Sequence, residues 1–153
     1  MKIRVLWLGK TRHASISSLC QEYLQRARRL GPCELVVLKE NTISGRTALS
    51  RDEEKLILAE IGESSCAVLL DVGGRELDSH AFLKELAKQR DSGTRRMDFF
   101  LAGPWGWSEA VRSAAHQRWT LSRLTMPHEL ARVVFLEQLY RALAKMQGIP
   151  YDK

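Results

Sequence analysis

The sequence predicts a single α/β domain with a mostly parallel sheet flanked by helices, and three observations lead to this fold class. Short apolar runs alternate with segments of helical spacing along all 153 residues. Residues 66–72 form an apolar run that ends at Asp71-Val72-Gly73-Gly74, which is typical of a central parallel strand. No repeat, low-complexity tract or linker interrupts the alternation, so residues 1–153 are expected to form one domain.

The apolar runs predict five strands, and the segments of helical spacing predict five helices with typical start or stop residues. The strands are residues 2–8, which end at Gly9, 34–38, 66–72, 97–101 and 119–121. The helices are residues 15–30, 50–61, 78–90, 108–116 and 127–147. Gly31-Pro32 closes the first helix, Ser50 and Glu53 are spaced as a capping box for the second, and Ser108 caps the fourth. The last helix has Pro127 in its first turn and Gly148 after its end.

The composition is that of an ordinary globular protein, with 27% charged and 44% hydrophobic residues. The net charge of +6 is unevenly distributed, because Lys and Arg outnumber Asp and Glu in residues 1–31 and 95–153 but not in residues 32–94. Two basic chain ends suit a polyanionic partner, and a purely solubilising surface charge is the alternative.

The three cysteines are widely spaced and form neither a metal-ligand pattern nor a disulfide framework, so reduced thiols and no metal are expected. The apolar run at residues 5–8 is too short for a signal peptide, and no segment approaches the length of a transmembrane helix. These features favour a cytoplasmic protein without a membrane partner.

Three loops follow predicted strands and should lie along one edge of the sheet, where open α/β sheets bind ligands. They are Asp71-Val72-Gly73-Gly74, Ala102-Gly103-Pro104-Trp105-Gly106-Trp107 and residues 121–126. Glycines after strands are also common as plain turn residues. The continuous sequence of residues 121–132, with its Pro-His-Glu-Leu segment, is more specific than a turn requires.

These loops, with the opening strand and the closing Pro150-Tyr151, resemble the SPOUT superfamily of methyltransferases over nearly all of the chain. Within it, the sequence is most similar to the family of ribosomal RNA large subunit methyltransferase H, most strongly over residues 119–143. The resemblance implies a carboxyl-terminal trefoil knot, a rare exception to unknotted topology. It also implies a homodimer formed by the helix at residues 127–147, which is apolar on more than one face; a fully buried helix in a monomer is the alternative.

The resemblance further implies that S-adenosylmethionine binds among the three loops, with no metal. Such a site needs small residues where the backbone approaches the ligand, and few charged side chains. The residues expected to bind the cofactor are Leu70, Val72, Gly73, Ala102, Gly103, Pro104, Gly106, Leu121, Ser122, Leu124, Thr125 and Met126.

The implied reaction is methylation of N3 of a pseudouridine in 23S ribosomal RNA, within the large subunit or the whole ribosome. The expected catalytic residues are Tyr151, Asp152, His128 and Arg132. His128 and Arg132 lie one turn apart at the start of a helix, where an anion can bind. The alternatives are that His128 is an ordinary first-turn residue and that Arg132 forms an ion pair with Glu129. The proton acceptor is Asp152, His128 or water, and Tyr151 would stack on the target base.

Two positions depart from the family pattern. Ala102-Gly103-Pro104-Trp105-Gly106 stands where Gly-Gly-Pro-Glu-Gly is common, and Tyr151-Asp152-Lys153 stands where Tyr-His and a basic residue are usual. A left-handed Ala102 would cost roughly 1 kcal/mol, and a negative φ would cost little. These departures keep open an alternative function, a non-catalytic RNA- or ribosome-binding protein on the same fold. A nucleotide-binding oxidoreductase is excluded because no G-x-G-x-x-G follows the first strand.

Overall fold

Five parallel strands form the central sheet in a computed structural model that describes residues 1–151. The strands are β1 (Lys2–Leu8), β2 (Cys33–Leu38), β3 (Cys66–Glu76), β4 (Arg96–Leu101) and β5 (Gln117–Thr120). The helices are α1 (Ala14–Arg28), α2 (Arg51–Gly62), α3 (Ser79–Asp91), α4 (Glu109–Ala114) and α5 (His128–Met146). The strand order is β2-β1-β4-β3-β5, and every pairing is parallel. The predicted α/β fold with a parallel sheet is confirmed, and the knot stays a prediction.

Strand β4 separates two apolar layers, because its successive side chains point to opposite faces of the sheet. Phe99 packs with the layer under α1, α3 and α5, and Phe100 packs with the layer under α2 and α4. Phe99 lies 4.9 Å from the ring centroid of Phe135 and 5.7 Å from that of Trp119. The sheet is therefore covered on both faces, as a parallel sheet requires.

Helix α2 begins with the capping box that the sequence predicts. The Ser50 hydroxyl accepts from the Glu53 N–H, and the Glu53 carboxylate accepts from the Ser50 N–H at 2.9 Å. Glu53 is also buried, and it receives the N–H of Asn41 and the guanidinium of Arg46. Burial disfavours its charge, but the Arg46 and backbone hydrogen bonds outweigh burial and lower the pKa of Glu53 to about 2.

Strand β3 continues four residues beyond its predicted end because it meets β5 twice. Leu70 and Arg75 both pair with Trp119, and the register shifts between them. The intervening residues 71–74 therefore bulge out of the sheet. Strand β5 starts at Gln117 rather than at residue 119 because its first residues pair with Val68 and Leu69 of β3.

The two glycines of this bulge have different surroundings. A Cβ on Gly74 would lie 2.5 Å from the carbonyl carbon of Trp119 and 2.7 Å from its nitrogen. A Cβ on Gly73 would have nothing within 4 Å, and neither glycine has a positive φ. Gly74 is therefore required for close approach of the β3 and β5 backbones, whereas the backbone of Gly73 tolerates a side chain.

Within residues 1–151, no helix is both long enough and apolar enough to cross a membrane.

Replacing Gly74 with Ala should lower the free energy of unfolding by about 2 kcal/mol, because the backbone of β5 must move away from the new methyl group. The matched change Gly73→Ala should leave it within about 0.5 kcal/mol of wild type. Equilibrium denaturation at equal protein concentrations measures both values. Equal transitions for the two variants would contradict the steric role of Gly74.

Candidate functional site

Three loops meet at the carboxyl ends of β3, β4 and β5 and enclose a cavity of about 240 Å³, the first cavity. The strands are neighbours in the sheet, which is why their ends converge. Eleven of the twelve residues predicted to bind the cofactor line this cavity, and Gly73 does not. The eleven are Leu70, Val72, Ala102, Gly103, Pro104, Gly106, Leu121, Ser122, Leu124, Thr125 and Met126.

Four residues that were not predicted from the sequence also line the first cavity. Leu101 and Thr120 are the last residues of β4 and β5, so their position could have been read from the strand ends. Ala131 lies on α5 one turn after Pro127. Asp71 precedes Val72 at the strand end, and its carboxylate accepts from Nε of Arg112 at 2.9 Å.

Ala102, in the second loop, does not have a left-handed backbone conformation. Within residues 1–151 no residue other than glycine has a positive φ, so Ala102 does not carry the cost of that conformation. Gly106 has a φ of 65° and needs to be glycine. The indole N–H of the buried Trp107 donates to the Leu70 carbonyl at 2.9 Å and thereby joins the second loop to β3.

The third loop is shaped by its own side chains. The Thr120 hydroxyl donates to the Ser122 carbonyl at 3.0 Å, and the Ser122 hydroxyl accepts from the Leu124 N–H at 2.9 Å. These bonds hold the turn that starts the 121–126 loop. Leu124 and Val72 are 79% and 82% exposed, although both residues line the first cavity. Two apolar side chains therefore stand open to solvent at the cavity.

Trp105 points away from the first cavity. Its indole N–H donates to the Arg46 carbonyl at 3.0 Å, and the Arg46 guanidinium carbon lies 3.6 Å from the ring centroid. Trp105 instead lines a neighbouring cavity of about 610 Å³, the second cavity. The other residues that line the second cavity are Leu8, Lys10, Arg12, His13, Glu40, Pro104, His128, Glu129 and Arg132.

His128 lies in the wall between the two cavities, because it and Pro104 line both. It is the first residue of α5 and is partly buried. Burial, and then the charge of Arg132, lower the pKa of His128 below its usual value. Its imidazole is therefore neutral at neutral pH and able to accept a proton.

Arg132 is buried and joins α5 to the loop after β1. Its Nη2 donates to the Leu8 carbonyl at 2.8 Å, and its Nη1 donates to the Thr11 hydroxyl at 2.9 Å. Its guanidinium carbon lies 4.7 Å from the Trp7 ring centroid, and its Nε–H has no acceptor among residues 1–151. Glu129 acts on Arg132 through its negative charge, which favours the charged guanidinium, while its carboxylate accepts the N–H groups of Arg12 and His13 at 2.6 and 3.1 Å.

Tyr151 packs near the other end of α5. Its ring lies 4.8 Å from the centroid of Tyr140 and 4.8 Å from the Arg141 guanidinium carbon. Tyr140 is twelve residues after His128, which corresponds to about 18 Å along the helix. Within one chain, Tyr151 is thus remote from the first cavity. Asp152 lies outside the described residues.

Within residues 1–151, no cluster of His, Cys, Asp or Glu has the arrangement of a metal site. All three cysteines are free and buried.

The chain resembles known proteins along its full length. It matches the family model described as "Predicted SPOUT methyltransferase" over residues 1–152. It is 34% identical over 151 residues to ribosomal RNA large subunit methyltransferase H from Geotalea uraniireducens, with 99% of each chain covered. The protein of that name from Porphyromonas gingivalis is 36% identical over 154 residues, covering 99% of this chain and 98% of the relative.

Two solved structures share the fold. The tRNA (m1G37) methyltransferase from Aquifex aeolicus aligns with a TM-score of 0.61 at 15% identity, covering 100% of this chain and 75% of that one. A probable methyltransferase from Bordetella pertussis Tohama I aligns with a TM-score of 0.57 at 12% identity, covering 93% and 96%. These two likenesses concern the fold, whereas the family match and the identities of 34% and 36% extend over the whole sequence. The chain therefore belongs to the SPOUT methyltransferases, in the family of ribosomal RNA large subunit methyltransferase H.

Proposed function

We propose that this enzyme transfers the methyl group of S-adenosylmethionine to N3 of a pseudouridine in 23S ribosomal RNA, acting as a single domain of residues 1–153 in the cytoplasm. S-adenosylmethionine, the methyl donor of the family, supplies a methyl group activated by a positively charged sulfur. The observation that carries the proposal is the first cavity, where three strand-end loops meet beside His128.

The residues around the first cavity fit such a cofactor. The lining is mostly apolar and small, so an adenine ring can pack closely against side chains and backbone. Asp71 brings a carboxylate, and the lowered pKa of His128 keeps a second positive charge away from a sulfonium. We propose that the eleven predicted residues of the lining bind the cofactor, and that Gly73 supports them through the backbone of the bulge.

We propose that His128 accepts the proton that N3 must lose. Bound S-adenosylmethionine would supply the methyl group from its sulfonium, and the neutral imidazole of His128 would take the proton that N3 gives up. His128 lines both cavities, so a base held in the second cavity would lie beside a cofactor held in the first. The rest of catalysis is alignment of acceptor and donor. Arg132 positions this wall by holding α5 against the Leu8 carbonyl.

We propose that the enzyme is a homodimer in which the tail of one copy completes the site of the other. Tyr151 packs against Tyr140, about 18 Å from His128 along α5, so it does not reach the first cavity of its own chain. Helix α5 also has a second, less buried face, on which Leu130 is 43% exposed. If two such helices pack in opposite directions, Tyr151 of one copy approaches His128 of the other.

The test of activity is transfer of labelled methyl from S-adenosylmethionine to ribosomes that lack the modification, compared with free ribosomal RNA. Label on one pseudouridine of the 23S RNA is the expected result, and excess S-adenosylhomocysteine should suppress it. No label from folded protein would favour the non-catalytic RNA-binding function, with Ala102, Trp105 and Asp152 as the first residues to revert.

Replacing His128 with Gln should lower kcat about 100-fold and change cofactor affinity little, because the proton acceptor is lost. In the wild type, kcat should fall as the pH drops through the lowered pKa of His128, since a protonated imidazole accepts no proton. The pH profile of kcat measures this decrease at low pH, and the His128→Gln variant should not show it. The same decrease of kcat at low pH in the variant would assign proton transfer to another group.

A mixture of two inactive variants tests the shared site. Tyr151→Ala and His128→Gln should each be strongly impaired alone, because each damages both sites of its own dimer. After they are unfolded and refolded together, about a quarter of the wild-type rate should return, because half of the dimers are mixed and one site in each is intact. The separately refolded variants serve as controls. No recovery in verified mixed dimers would place Tyr151 outside the partner's site.

A further inference from the structure

Trp105 is held firmly in the wall of the second cavity. Arg46 covers one face of the indole and accepts its N–H through its carbonyl. The same Arg46 guanidinium binds the buried Glu53, which also caps α2 and binds the N–H of Asn41. The indole is therefore fixed by a chain of contacts that reaches the start of α2, and it still lines the cavity.

Cationic side chains lie around the same cavity. Lys10 and Arg12 are exposed on the loop after β1, and Arg132 carries a buried Nε–H without an acceptor among residues 1–151. Two carboxylates are also present, but both have partners. Glu129 accepts two backbone N–H groups, which together with nearby positive charges lower its pKa. Glu40 contacts one guanidinium nitrogen of Arg12 at 3.4 Å, and the Arg12 side chain is still 74% exposed, so it can also meet a phosphate. Cations at the rim and an aromatic ring in the wall are the pair of features that binds single-stranded nucleic acid.

We propose that the second cavity binds the target nucleotide of the RNA, with its base stacked on Trp105 and its flanking phosphates held by Lys10 and Arg12. The proposal rests on the proposed function and names the subsite that presents the acceptor. Pro104 and His128 line both cavities, so a base on Trp105 has its edge at the wall next to the first cavity. A base must leave its stack to be reached in this way, and an aromatic platform stabilises the unstacked base.

The residues of the subsite have separate tasks. In this site Trp105 contacts the flat face of the base. Because every base has such a face, Trp105 supplies binding and orientation rather than sequence readout. Lys10 and Arg12 supply electrostatic attraction that weakens as salt is raised. The buried Nε–H of Arg132 is a hydrogen-bond donor for an oxygen of the nucleotide, and its other two nitrogens keep their bonds to Leu8 and Thr11.

The test is binding of a fluorescein-labelled RNA hairpin that carries the pseudouridine, followed by anisotropy in the presence of S-adenosylhomocysteine. Trp105→Leu should weaken binding about ten-fold, because the stacking surface is lost, whereas Trp105→Phe should stay within about three-fold. The double change Lys10→Ala and Arg12→Ala should weaken binding and reduce the salt dependence. The matched double change Lys84→Ala and Lys88→Ala, on the exposed side of α3, removes the same charge and should have no effect.

The outcomes separate this proposal from its alternatives. Unchanged RNA affinity in Trp105→Leu and in the Lys10 and Arg12 double variant would overturn it. An equal loss of S-adenosylhomocysteine affinity in Trp105→Leu would also overturn it, because Trp105 would then only position the second loop. If the wild type methylates no RNA but binds the hairpin through Trp105, the proposed function fails and the subsite stands. Because Lys10 and Arg12 are exposed, their variants test the site even if Trp105→Leu does not fold.

Discussion

The double pairing of β3 with Trp119 is the constraint on which the rest of the site depends. Leu70 and Arg75 both meet this one residue, so the chain between them has to leave the sheet. That departure carries Asp71 and Val72 to the first cavity, while Gly74 lets the strand return against β5. The indole of Trp119 packs against Phe82 and Phe99 in the core, and this packing fixes the position of the residue that the bulge spans.

The two cavities differ in chemistry but share a wall. The first is mostly apolar and built from the ends of three strands, which suits a folded cofactor. The second is lined by charged groups and one fixed indole, which suits a polyanion with flat bases. His128 stands between them with its pKa lowered by burial and by Arg132. A neutral imidazole at this boundary is compatible with a cationic donor on one side and a protonated acceptor on the other.

Local signals explain why most of the fold could be predicted from the sequence. The Ser50 and Glu53 box and the apolar strands depend on neighbours in the chain, and parallel strand ends necessarily share an edge. What could not be predicted depends on distant partners. The direction of Trp105 is decided by Arg46, 59 residues earlier. The burial of Arg132 is decided by a carbonyl 124 residues away, and no local pattern contains either contact.

The contact between Arg132 and the Leu8 carbonyl has a consequence for synthesis of the protein. The second cavity is lined by residues that lie far apart in the sequence, since Lys10 and Arg12 follow β1 whereas His128 and Arg132 belong to α5. A nascent chain emerges from its amino end, so this cavity does not exist until α5 has left the ribosome. The proposed RNA subsite therefore forms only after α5 has been synthesised, and a polypeptide interrupted before α5 has strands and core residues but no place for the nucleotide.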